Sequence, residues 1–270
     1  YYREGEYQGI RDAFTAHIQK MFELANLENP ALAAQQVLEI ESLIAACHWD
    51  QVKDRDAELT YNKKSFAQLT QLAPDFDWQL WISSSKTPMR VLEQVVIRQP
   101  SYFEGLSKLF AAFDLPKWRS WLTWHVLSGA SPYLSSQFVN ENFAFYGTTL
   151  SGIPKLKDRW KRGVGLVEGA LGEAVGQIYV ERHFGESAKT KMVELVKNLI
   201  TAYRVSIEGL SWMSQETKER AFVKLNKFTP KIGYPDKWRD YSKLSISPDD
   251  LKNYLVKIDG DLDSNYKKLL

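Results

Sequence analysis

The chain has 270 residues, of which 44% are hydrophobic and 25% charged, and its formal net charge at pH 7 is +2. This composition is that of a globular protein long enough to bury a substantial core. No block of like charge and no apolar run near the ~20 residues that cross a bilayer is present, so we expect neither a nucleic-acid partner nor a membrane-spanning segment. The single cysteine, Cys47, excludes an intrachain disulfide and a cysteine-based zinc site.

Helical periodicity dominates the first half of the chain. Asn29 and Pro30 are typical of an N-cap followed by a first helical residue. The apolar residues that follow recur at intervals of 4, 3, 4 and 3 residues, which places Cys47 on the core face as a buried, inert thiol. Further helices are predicted over 64–72, 76–83, 100–113, from Pro116 past His125, and over 135–148. Residues 48–62 are expected to be irregular, and 91–97 is the only candidate strand.

Longer helices are predicted in the second half. One covers about 157–183, another follows Gly185, and Ser214 is a natural N-cap for a third that ends before Pro230. The segment 230–246 is expected to be an ordered loop anchored by its tyrosines and tryptophans. Ser247 and the residues after it predict the start of a last helix. The fold class predicted is all-α, with about ten helices in a single helical unit over 1–270.

Four glycines of the 157–183 helix share one predicted face. Their spacing is 4, 3 and 4 residues: Gly165, Gly169, Gly172 and Gly176. Because a glycine costs a helix interior roughly 0.5–1 kcal/mol relative to alanine, we expect this stripe to accept another helix at short range. Glu168 breaks the dinucleotide-binding fingerprint, and the charged residues of the helix argue against a membrane dimer motif.

No catalytic or metal-binding residue can be assigned from the residues alone. The four histidines, at 17, 48, 125 and 183, form no helical pair, and neither H-E-x-x-H nor G-x-S-x-G occurs. His125 is expected to be a core or boundary residue. The run that begins at Asp259 lacks the glycine and the glutamate that a calcium loop requires.

Several phrases of the chain, in order, resemble the N-terminal region of the neprilysin-like zinc metalloendopeptidases. They are Arg-Trp-Lys-Arg at 159–162, Ala-Val-Gly-Gln-Ile-Tyr-Val at 174–180, Trp-Met-Ser-Gln-Glu-Thr-Lys at 212–218 and Lys-Ile-Gly-Tyr-Pro-Asp-Lys-Trp at 231–238. Gly163 stands where the family often has cysteine, and Glu168 where asparagine is expected. With one cysteine in total, the chain resembles a bacterial member.

The resemblance implies a role within a larger enzyme. Such enzymes bind Zn²⁺ through H-E-x-x-H and a downstream glutamate, and these residues would lie in a catalytic domain of the same polypeptide after residue 270. The chain starts without methionine and stops within an amphipathic pattern, so we expect an excised part of that longer protein. The resemblance implies an irregular helical domain that encloses the cavity for peptide substrates, in an extracytoplasmic enzyme.

A different class of function fits the same residues. A free-standing helical binding module without peptidase activity would show the same phrases and the same lack of catalytic residues. The sequence beyond residue 270 of the parent protein separates the two hypotheses, because only the first predicts H-E-x-x-H there.

Overall fold

The computed structural model describes residues 1–247, and within them the chain folds into eleven helices and one two-stranded sheet. The predicted all-α class is thereby confirmed. Contacts divide the chain into two compact units, Tyr1–Leu156 and Lys157–Leu270, where the sequence indicated a single helical unit. The helix predicted after Ser247 and the run at Asp259 lie outside the described residues.

The first unit contains eight of these helices and the sheet. Its helices are α1 (Gln8–Leu24), α2 (Pro30–Cys47), α3 (Gln51–Asp54), α4 (Phe66–Leu72), α5 (Trp78–Ser85), α6 (Pro100–Ala112), α7 (Leu115–Ala130) and α8 (Ser136–Asn142). A π-helical turn, Phe143–Thr149, continues α8. The second unit contains α9 (Arg159–His183), α10 (Glu186–Gly209) and α11 (Gln215–Asn226).

The sheet joins two short strands, β1 (Asn62–Lys64) and β2 (Val95–Ile97), in antiparallel register with Lys63 opposite Val96. The sequence predicted only the second strand, and over a longer range. Two of the three β1 residues are lysines, so no apolar alternation marked it as a strand. The pairing of β1 with β2 therefore depends on tertiary contacts and cannot be predicted from the local pattern of apolar residues.

The core of the first unit lies between α1, α2 and α7. Ile18 and Met21 of α1 are fully buried against Ala34 and Val37 of α2, and Trp124 of α7 closes the cluster. Small alanines on α2 let the two helices approach, and the large tryptophan fills the space that remains. This arrangement combines large and small side chains as close packing requires.

Two of the predicted helix starts differ in whether the N-cap side chain makes a hydrogen bond. Ser214 accepts a hydrogen bond from the Thr217 amide, as an N-cap should. Asn29, by contrast, occupies the predicted N-cap position before Pro30, but its φ is 49° and its side chain makes no cap hydrogen bond. Asn29 instead uses the left-handed conformation that asparagine tolerates, and Pro30 alone supplies the start signal.

Cys47 lies at a contact between α2 and α6. A Cβ atom added to Gly105 of α6 would lie 2.5 Å from the Cys47 Sγ, so only glycine fits at that point. The thiol is half-buried rather than fully buried, and burial raises its pKa. Cys47 is thus a neutral packing residue at a glycine-mediated helix contact.

Within the described residues, no helix backbone lies close to the four-glycine stripe, so its packing role stays a prediction. A Cβ atom added at Gly165, Gly169 or Gly172 would meet nothing within 4 Å, and only Gly176 has a neighbour, the Trp238 ring at 3.4 Å. α9 is also broken at Leu171, whose φ of −124° and ψ of 34° are not helical. The glycines therefore lie on two helical segments rather than on one continuous face.

The loop after α11 is held in place by its aromatic residues, in agreement with the sequence. Tyr234 and Trp238 stack with ring centroids 5.8 Å apart. Lys189 of α10 donates to the Tyr234 carbonyl at 3.0 Å and to the Asp236 carboxylate at 2.7 Å. Gly233, with φ 70°, is also adjacent to the Phe184 ring, so a side chain there would be both strained and crowded.

Stability of the first unit should depend on the protonation of His17. This histidine is buried beside Trp124 and Phe145, and its Nδ1 lies 2.8 Å from a Glu141 carboxylate oxygen. Burial lowers its pKa, while Glu141 acts in the opposite direction. In the unfolded chain His17 takes up a proton near pH 6.5, whereas in the folded chain its pKa is lower. The unfolded state therefore binds more protons, and the free energy of unfolding should fall as the pH drops below about 6.5.

Urea denaturation at pH 7 and pH 5 measures this loss. We expect His17→Gln to reduce the difference in the free energy of unfolding between pH 7 and pH 5. The exposed His183 provides the control, since His183→Gln should leave the difference unchanged. Equal pH dependence in all three proteins would contradict the assignment.

The glycines of α9 should differ in their tolerance of a side chain in the 270-residue chain. Gly165→Leu should leave stability unchanged or raise it by up to about 1 kcal/mol, because leucine favours the helix and meets no neighbour. Gly176→Leu should cost about 1–3 kcal/mol, because the side chain must displace the Trp238 ring. Thermal unfolding of the two variants tests the difference, and equal melting temperatures would contradict it.

Candidate functional site

The described residues contain no site for a metal ion. Within residues 1–247, no three His, Cys, Asp or Glu side chains come together in a way that could hold one. The histidines that the sequence offered are separated: His17 is in the core, His48 contacts Gln99, and His125 contacts Glu41. In the same residues, no helix is long and apolar enough to span a membrane.

Glu41 of α2 is the centre of a polar junction in the first unit. Its carboxylate accepts a hydrogen bond from Trp121 Nε1 at 2.8 Å and lies 2.9 Å from His125 Nε2. Burial, followed by the charge of Glu41, raises the pKa of Tyr2. Within residues 1–247, no serine, threonine or cysteine is hydrogen-bonded to His125, which is about half-exposed. The junction therefore connects the N-terminal segment and α7 to α2.

A groove with a volume of about 630 Å³ lies between α4, α5, β2 and α6 of the first unit. We call it the aromatic groove, because six rings line it: Phe76, Trp78, Trp81, Tyr102, Phe103 and Phe110. A mostly apolar cleft of this volume, with few polar groups, has the usual properties of a binding site.

Polar residues occur at one end of the aromatic groove. Gln99 donates to the Asp54 carboxylate at 2.8 Å, and Arg98 lies 3.2 Å from it. These two hydrogen bonds lower the pKa of Asp54, the one from Gln99 more strongly. His48 stacks on Tyr102 with ring centroids 4.3 Å apart. The charges at this end are paired with each other, so the groove itself presents an apolar surface.

Sequence reasoning did not identify the aromatic groove. Its rings come from two separate segments, and each segment alone has the pattern of an ordinary helix face. The available signal was the local density of rings over 76–81 and 102–110, which exceeds what two short helices need for their own packing.

The second unit exposes apolar side chains on all three of its helices. No residue of α9, α10 or α11 is buried in the structure. On α10, Met192, Leu195 and Leu199 recur at intervals of 3 and 4 residues and form one exposed side, where Leu199 is 50% exposed. Ile178 and Tyr179 of α9 are exposed as well. Contiguous apolar surface of this kind is typical of a contact with another domain.

The chain is similar to solved structures of a mycobacterial protease. It is 43% identical to the zinc metalloprotease Zmp1 of Mycobacterium tuberculosis in complex with an inhibitor, with a TM-score of 0.87 over 97% of this chain and 41% of that one. For Zmp1 in its open state, the identity is 43% and the TM-score 0.83, over 97% of this chain and 42% of that one.

Sequence comparison gives the same relationship. Neprilysin-2 of Drosophila melanogaster is 28% identical over 275 residues, which cover 95% of this chain and 34% of that protein. The chain thus spans between a third and about two fifths of the length of these relatives. A sequence profile described as peptidase family M13 matches residues 1–235. Because that match covers most of the chain, the chain belongs to peptidase family M13.

Proposed function

We propose that this chain is a non-catalytic helical domain that encloses the substrate cavity of a neprilysin-like zinc metalloendopeptidase that cleaves peptides. One observation carries the proposal: nearly the whole chain, 97%, superimposes on 41% of a zinc metalloprotease. The motif H-E-x-x-H is absent from the 270 residues. The chain is therefore assigned to the part of the enzyme that does not contain this motif.

The proposed partner of the domain is the catalytic domain of the same polypeptide. The exposed apolar side of α10, formed by Met192, Leu195 and Leu199, supports this contact. We assign the glycine stripe of α9 to the same contact, since Gly165, Gly169 and Gly172 have open space beside them in the described residues. A backbone from the catalytic domain could approach a surface without side chains closely.

Zinc is assigned to the catalytic domain. A catalytic zinc site needs three protein ligands at about 2.0–2.3 Å, and residues 1–247 provide no such group. The relative named a zinc metalloprotease has been solved in an open state and with an inhibitor. The open state of that relative supports an enclosing role for the equivalent domain here. The resemblance also favours an extracytoplasmic location.

Leu199→Lys tests the contact with the catalytic domain. In the 270-residue chain the substitution should be nearly neutral, because Leu199 is half-exposed there. In the full-length protein it should lower stability by at least about 2 kcal/mol, because a charge would be buried at the domain contact. Thermal unfolding of both proteins gives the comparison.

Thr201→Lys is the matched control for this experiment. Thr201 is exposed on the same helix, about 200° around the axis from Leu199, and the new side chain is the same. We expect it to be tolerated in both proteins. If Leu199→Lys is equally harmless in the full-length protein, α10 does not face a second domain, and a free-standing binding module becomes the better explanation.

Zinc titration tests the assignment of the metal. By calorimetry, the 270-residue chain should bind no stoichiometric zinc at micromolar concentration and should cleave no quenched-fluorescent peptide. The full-length protein should bind zinc and cleave the peptide, and a chelator should abolish cleavage. Chelator-sensitive cleavage by the 270-residue chain would overturn the non-catalytic role.

A further inference from the structure

β2 borders the aromatic groove with its edge. Successive side chains of a strand point to opposite faces, yet Val95, Val96 and Ile97 all line the groove. β1 pairs with one side of β2 and contributes no residue to the lining. The groove therefore runs along the other side of β2, the side that β1 does not cover.

This second edge of β2 has no backbone partner within the described residues. The sheet has only two strands there, and no further backbone hydrogen bond involves Val95, Val96 or Ile97. Val96, in the middle of the strand, is 50% exposed, whereas Ile97 is only 3% exposed, so the accessible part of this edge is at Val96. An accessible strand edge presents N–H and C=O groups that can pair with another extended segment.

The groove beside this edge can accept a side chain. Phe76, Trp78, Phe103 and Phe110 form apolar walls around about 630 Å³, and Trp81, 40% exposed, also lines the groove. In an added strand, every second side chain would point to the same face. A large apolar side chain from such a strand could enter the groove while its backbone follows β2.

We propose that an extended peptide with an aromatic or bulky aliphatic side chain binds here, by adding a strand to the unpaired edge of β2. Backbone hydrogen bonds would give affinity and register, and the aromatic groove would select the side chain. β2 has three residues, so the added ladder would span about three peptide residues. The inference rests on the proposed function, which brings peptides to this protein.

Amide NMR of the 270-residue chain with a defined peptide tests the inference. The probe is acetyl-Lys-Val-Phe-Val-Lys-amide, whose phenylalanine is placed for the groove and whose lysines keep it soluble. We expect shifts at the amides of 95–99 and slower hydrogen exchange of one edge amide. No shift in this segment at millimolar peptide would overturn the proposal.

N-methylated peptides distinguish strand addition from simple apolar capture. Two isomers of the probe carry methyl groups on alternate sets of backbone amides. Because only one set faces β2 in a ladder, one isomer should lose binding and the other should retain it. Equal binding of both isomers would overturn strand addition, even if the phenylalanine occupies the groove.

Trp81→Ala tests the role of the groove. Removing this ring should weaken peptide binding about five-fold, because one wall of the groove is lost. Leu80→Ala is the matched control, since Leu80 is exposed on the same helix and does not line the groove. The inference is wrong if both variants bind the probe as the parent chain does.

The full-length protein separates this inference from the proposed function. Peptide cleavage without probe binding at β2 in the 270-residue chain would refute the inference and leave the proposed function intact. Probe binding by the 270-residue chain, with no cleavage by the full-length protein, would refute the proposed function and leave the binding site at β2 intact. Binding by the 270-residue chain that is absent from the full-length protein would show that another segment of the polypeptide covers this edge, which would also refute the inference.

Discussion

The close packing of α1 on α2 is the contact on which the first unit depends. Ala33 and Ala34 of α2 are buried there, and their small side chains bring Ile18 and Met21 into the core. The other sides of α2 position the remaining helices: Glu41 accepts a hydrogen bond from Trp121 of α7, and Cys47 meets α6 at Gly105. Because α6 forms one wall of the aromatic groove, the geometry of the groove follows from the packing of α2.

The two units differ in how they use their apolar residues. The first unit has a buried core, whereas the three helices of the second unit contain no buried residue. An amphipathic helix obtains most of its stability from burying one face. Helices such as α10, with Leu199 half-exposed, therefore gain most when another domain covers them, which agrees with the proposed place of the chain in a larger peptidase.

Both proposals make the chain a surface for other polypeptide segments rather than a site of chemistry. On α10 the surface is a rigid apolar helix side, suited to a permanent contact with a domain. At β2 it is a strand edge beside the aromatic groove, where backbone pairing and one side-chain pocket act together. A strand edge accepts many sequences with the same backbone geometry, which suits a protein that handles peptides.

The sequence by itself determined the helical class, most helix positions and the family, because periodicity and capping are local and the family phrases are contiguous. It also identified the rings of Tyr234 and Trp238 as anchors of their loop. Only the tertiary structure decided which glycine permits close helix packing, because this depends on neighbours that are distant in the chain. Gly105 lies against Cys47, whereas the described neighbours of the stripe are open space or the Trp238 ring. The tertiary structure likewise decided that β1 pairs with β2 and that rings from separate segments form one groove, since those contacts join residues that are far apart in the chain.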